Sequence, residues 1–76
     1  MKELLTYMIQ NLVDHPDGVS VTERETASET VYEVRVADGD MGKVIGRQGR
    51  IAKELRAILK AQGQREQMRV TIDILD

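Results

Sequence analysis

The 76-residue chain has no cysteine, no phenylalanine and no tryptophan. Without cysteine it can form neither a disulfide nor a thiolate metal site. Its one histidine, His15, rules out a multi-histidine metal site. His15 stands before Pro16 in a loop, where a structural or surface role is expected of it. The only aromatic residues are Tyr7 and Tyr32. Modules that recognise nucleic acid by stacking bases on aromatic side chains are thereby excluded. A nucleic-acid binder of this composition would work with backbone, cations and aliphatic contacts. No apolar run approaches the ~20 residues of a membrane span. The opening Met1-Lys2-Glu3-Leu4 carries an acid and alternates polar with apolar, so no signal peptide is expected. The expected compartment is the cytoplasm, with no membrane partner. No Ser/His/Asp or Cys/His set is present, and no carboxylate pair is brought together by spacing. Neither an enzyme, a cofactor nor a metal is expected.

What remains is an ordinary globular balance, 41% hydrophobic and 32% charged. The length sets a single domain over residues 1–76. The net charge of −2 hides an uneven spread. Residues 1–40 hold three cations against nine acids, and residues 41–76 hold eight cations against four acids. A basic half of this kind points to a polyanion-facing surface. The same cations would also serve to solvate a helix, so charge alone leaves both readings open.

Periodicity orders the elements. Leu4, Leu5, Met8, Ile9, Leu12 and Val13 form one apolar face of a helix over roughly 2–13, ended by His15-Pro16-Asp17-Gly18. Val19 and Val21 begin a first strand. Thr26 to Glu29 connects it to a second, in which Tyr32, Val34 and Val36 alternate with Val31, Glu33 and Arg35. So short a link makes the pair an antiparallel hairpin, with Glu23, Glu25, Glu29 and Glu33 solvating the sheet edge. Asp38 or Asp40 caps a short helix over Met41 to Ile45. A longer helix runs from about Arg50 to Gln62, burying Ile51, Ala52, Leu55, Ile58 and Leu59. Gly63 is placed for a left-handed C-terminal residue. Met68, Val70, Ile72 and Ile74 mark the last strand. The order is helix, strand, strand, short helix, helix, strand. That reads as an α+β domain, a three-stranded sheet covered on one face by helices.

Two glycine pairs have the same spacing, Gly39–Gly42 and Gly46–Gly49. The first encloses an aspartate, which repels phosphate. The second encloses Arg47 and Gln48, a cation and a hydrogen-bond donor. Lys43, Val44 and Ile45 precede it, and Arg50 and Lys53 follow in the first turn of the long helix. Glycine lets the chain turn sharply and a sugar-phosphate backbone come close. A helix starting just after the turn points free N–H groups and its positive dipole end at the same place. The P-loop pattern is absent, and the dinucleotide fingerprint lacks its parallel-sheet unit.

Ile45-Gly46-Arg47-Gln48-Gly49 followed by Arg50-Ile51 resembles the I-G-x-x-G signature of KH domains. The element order α-β-β-α-α-β is similar to the type II arrangement. Together with the lead-in Met41-Gly42-Lys43-Val44-Ile45, the whole chain resembles the small stand-alone bacterial KH proteins of the KhpA type. The resemblance implies single-stranded RNA binding, with the Gly46–Gly49 loop clamping the backbone of about four nucleotides. It makes Lys43, Val44, Ile45, Gly46, Arg47, Gln48, Gly49, Arg50 and Lys53 the RNA-binding residues. Bases would lie between the glycine-loop helices and the adjacent strand. Val44, Ile45, Ile51, Val34 and Val36 are candidates for the floor, the last three with core as the stronger assignment. The resemblance also implies homodimers or heterodimers with a KhpB-type KH protein. It further implies a role as RNA chaperone or post-transcriptional regulator, with links to cell shape and cell-wall biogenesis.

Two other classes compete. In a protein–protein adaptor the KH fold would serve mainly for dimerisation. A DNA-binding helix–turn–helix would want polar base-reading side chains, and the long helix has no Asn or Gln before Gln62.

Overall fold

The computed structural model describes residues 1–75. Six elements follow the expected order: α1 (Lys2–Gln10), β1 (Ser20–Glu25), β2 (Thr30–Arg35), α2 (Met41–Ile45), α3 (Arg50–Arg65) and β3 (Val70–Leu75). Two short 3₁₀ turns, Pro16–Gly18 and Arg47–Gly49, fill the joints. Among the described residues no helix is long and apolar enough to cross a membrane.

The sheet order is β1-β2-β3. β1 and β2 pair antiparallel, Val21 opposite Val34 and Glu23 opposite Tyr32. The four-residue link between them permits that hairpin. β3 pairs with β2 in parallel, Tyr32 opposite Ile72 and Val34 opposite Ile74. A parallel partner needs a long crossover, and α2 and α3 provide it. β2 is therefore central, and β1 and β3 are the edges.

The core joins the strand residues Val21, Tyr32, Val34 and Ile72 to Leu5, Ile9, Val44, Leu55 and Leu59 of the helices. Each helix supplies one apolar stripe to the sheet face it covers. Val31 departs from the simple alternation: it lies on the far face, yet is buried. On the central strand it stands in register between Arg24 of β1 and Thr71 of β3.

Two helix ends differ from expectation. α1 stops at Gln10, short of residue 13. The Asn11 backbone N–H and side-chain amide both donate to the Tyr7 carbonyl, at 3.2 and 2.7 Å. Leu12 N–H turns back to the Ile9 carbonyl at 2.9 Å, tightening the last turn. α3 runs through Gly63 to Arg65, so Gly63 is a buried helical residue rather than the cap. A β-carbon there would lie 2.8 Å from Val70 Cγ2 and 2.9 Å from the Met68 carbonyl oxygen. The glycine serves the close approach of β3 to the helix. The left-handed residue comes later, at Gln67.

Candidate nucleic-acid interface

α2 and α3 meet at Gly46-Arg47-Gln48-Gly49. Gly46 has φ 77° and ψ 175°, a conformation open essentially to glycine alone. A β-carbon on it would also strike Ile51 Cγ1 at 2.7 Å. Gly49 is left-handed at φ 74°, with open space around it. Between them Gln48 is left-handed as well, at φ 57°. The turn closes through Gly49 N–H to the Gly46 carbonyl at 3.1 Å. Arg47 and Gln48 are exposed at its tip. No side chain caps the N-terminus of α3. Its first N–H groups and positive dipole end therefore face the loop.

The flanking residues divide. Lys43, Arg47, Gln48, Arg50 and Lys53 are exposed, and Ile45 is more than a third exposed. Val44 is fully buried in the core, as is Val34. Neither offers a ligand any surface, because each sits on the face that α2 and β2 press into the core. Val36 and Ile51 are half-buried and pack against that core. Val44 thus anchors α2 and fixes where the loop begins.

The strand beside the cationic side of α3 is β3, not β2, whose two edges are both taken. Lys53, Arg56, Lys60 and Gln64 follow Gly49 down one side of α3. The Arg56 Nε donates to the Ile72 carbonyl at 3.4 Å, tying the helix to the free edge of β3. One hollow there is lined by Arg56, Lys60, Val70, Thr71 and Ile72. Another is lined by Lys60, Gln64, Met68, Arg69 and Val70. Cations beside aliphatics in these hollows suit the sugar-phosphate chain of a nucleic acid. Arg56, Lys60 and Arg69 thereby join the candidate residues that the sequence suggested. The three-and-four spacing from Gly49 was visible in the sequence. The identity of the facing strand was not.

The loop is held from behind by Asp40. This residue precedes α2, but its side chain does not cap the helix. Only 1% exposed, its carboxylate turns to the segment after α1. It accepts the His15 N–H at 3.0 Å and the Asp14 N–H at 3.4 Å. The His15 Nδ1 lies 3.2 Å from the same carboxylate. An ionised carboxylate only accepts, so Nδ1 carries the proton. Burial raises the Asp40 pKa, but these donors outweigh it and hold the carboxyl below its ordinary value.

Among the described residues no three His, Asp or Glu side chains group as metal ligands would. Tyr32 is buried in the core, and Tyr7 lies on α1. No aromatic lines the two hollows between α3 and β3.

Comparison with known proteins gives the same picture over nearly the full length. The family model described as "KhpA/KhpB, KH domain" matches residues 2–74. An RNA-binding protein KhpA of Clostridium acetobutylicum is 47% identical over 75 residues, covering 99% of this chain and 100% of its own. One of Halalkalibacterium halodurans is 45% identical over 76 residues, the full length of both. One of Chlamydia muridarum is 40% identical over 76 residues, 100% of this chain and 97% of its own. With a glycine loop between two helices, the α-β-β-α-α-β order and a family match spanning the domain, the chain belongs to the KhpA/KhpB KH-domain family.

Proposed function

We propose that the chain binds single-stranded RNA, gripping its backbone at Gly46–Gly49 and guiding it along the cationic side of α3. One observation carries the reading: two positive-φ glycines bracket exposed Arg47 and Gln48 at the uncapped start of a sixteen-residue helix. The backbone N–H groups would receive phosphate oxygens, and Arg47 would supply mobile charge. The curated relatives carry the name RNA-binding protein. The family is a non-enzymatic one, and no reaction is assigned to the site. With no aromatic platform, affinity rests on phosphate contacts and falls with salt, about 0.7 in log–log slope per contact on a single strand. Phosphate contacts carry no sequence information, so the binding is tolerant of sequence.

The test is fluorescence anisotropy of a labelled single-stranded RNA with wild type and with Arg47→Asp/Gln48→Asp, each checked by circular dichroism. Salt-sensitive binding that disappears in a folded double variant supports the loop as the site. Equal binding by both proteins, or none by either, overturns it.

A second reading concerns pairing. Tyr7 is 66% exposed, and Ile58, expected in the buried stripe of the long helix, is 49% exposed because it faces out beside α1. They line a groove between α1 and α3 with Met8, Leu12, Ile51 and Leu55. That face suits a homodimer or a heterodimer with a KhpB-type KH protein, on the side of α3 away from the RNA path. Sedimentation of wild type and Ile58→Glu tests it. A cytoplasmic RNA chaperone or regulator acting on cell shape and wall synthesis is the cellular role consistent with the resemblance. Complementation of a deletion strain by the loop variant tests that role.

A further inference from the structure

Lys43 already holds an anion. Its Nζ lies 3.2 Å from the Asp14 Oδ2. Arg47, Arg50 and Lys53, the other cations at the loop, make no ion pair among the described residues. The Lys43–Asp14 pair is a product of the fold, since the two residues come from opposite ends of the α1–α2 stretch. Asp40 holds both. Its carboxylate accepts the Asp14 and His15 N–H groups, and its carbonyl accepts the Lys43 N–H at 3.0 Å. The two backbones are pinned to one buried residue, and their side chains meet above it.

An ammonium bound to a carboxylate must give it up, or share it, to neutralise a phosphate. The released carboxylate then stands close to the incoming phosphate and repels it. We infer that Asp14 is a built-in competitor for phosphate at Lys43 and limits the affinity of the glycine loop for RNA. This rests on the RNA-binding reading above. Asp14 is 66% exposed and Lys43 45%, so solvent screens the pair and it contributes little to the fold. Its effect is therefore expected in binding rather than in stability.

The test is a double-mutant cycle, read by anisotropy of fluorescein-labelled oligouridylate over a salt series. Asp14→Asn keeps the backbone N–H that Asp40 holds. It should tighten binding about two- to fivefold at low salt, the range of an exposed ion pair. The gain should fade as salt shortens the screening length. The salt slope should steepen by up to about 0.7, one added phosphate contact. In a Lys43→Gln background the gain should shrink to that of Asp17→Asn, which removes a nearby exposed acid and controls for charge in general. No tightening by Asp14→Asn, an equal gain from Asp17→Asn, or an undiminished gain without Lys43 would each overturn the inference. If wild type binds no RNA, the binding reading falls and this inference with it. If wild type binds through Arg47 and Gln48 while Asp14→Asn is silent, only the inference falls.

Discussion

The buried Asp40 carboxylate and the His15 N–H are joined at 3.0 Å across 25 positions of sequence. Asp40 directly precedes α2, and His15 directly precedes the Pro16 turn. That one side chain sets the start of α2, and through it the glycine loop, against the rest of the domain. Helix capping, the ordinary use of an aspartate at this position, has been given up for a long-range tie.

The tie predicts a pH dependence. The Asp40 pKa is lowered in the folded protein. A lowered pKa contributes stability above the unfolded-state value, and that stability is lost as pH falls through the folded-state value. Asp40→Asn should lower the Tm at neutral pH. Below the ordinary carboxylate value of about 3.9 the gap between the two proteins should close. Thermal melts by circular dichroism from pH 7 to pH 3 check this. A gap constant with pH would remove ionisation from the account.

Gly46 and Gly49 should differ in their tolerance of alanine. Both have positive φ, and a left-handed non-glycine residue costs about 1–2 kcal/mol. At Gly49 nothing else opposes a β-carbon. At Gly46 the new atom meets Ile51 Cγ1 at 2.7 Å, and ψ lies where only glycine rests comfortably. Gly49→Ala should cost about 1–2 kcal/mol and Gly46→Ala more, about 3 kcal/mol, by urea titration. Equal losses would show that Ile51 moves aside freely.

Gly63→Ala sets two effects against each other. Alanine is favoured over glycine inside a helix by about 1 kcal/mol. Overpacking a tight site costs about 1–3 kcal/mol. Here the added atom would press on the Met68 carbonyl oxygen at 2.9 Å as well as on a Val70 methyl. A carbonyl held by the chain yields less easily than a side chain, so packing wins. The variant should lose about 1–2 kcal/mol. A Tm above wild type would mean that β3 shifts to make room.

Arg56 and Lys60 should each carry part of the RNA contact. Arg56→Gln and Lys60→Gln lie away from the loop, so the proposed grip at Gly46–Gly49 is left intact. Each should weaken binding and reduce the salt slope by about 0.7, with little sequence preference in the loss. Titrations over a salt series measure it. An unchanged slope in the double variant would take the RNA path off this side of α3. Arg56 also donates to the Ile72 carbonyl, so a melt must accompany its titration.

The order of elements was legible in the sequence because hydrophobic periodicity is local. Leu5 and Ile9 on α1, Tyr32 and Val34 on β2, and Leu55 and Leu59 on α3 each mark a face by spacing alone, and all are core residues. The glycine loop was legible for the same reason: Gly46, Arg47, Gln48 and Gly49 are contiguous, and their backbone demands are set within a few residues. Tertiary structure decided everything that depends on a neighbour distant in the chain. Parallel pairing put β3, not β2, beside the cationic side of α3, and so brought Arg56, Lys60 and Arg69 into the candidate site. Packing buried Val44, which the family resemblance made a candidate contact. The approach of β3 made Gly63 a helix residue rather than a cap. The Asp40 tie and the Lys43–Asp14 pair join segments that no periodicity connects. Local patterns specify which face of an element is apolar. Which element meets that face, and with what charge beside it, is set only when the sheet order is.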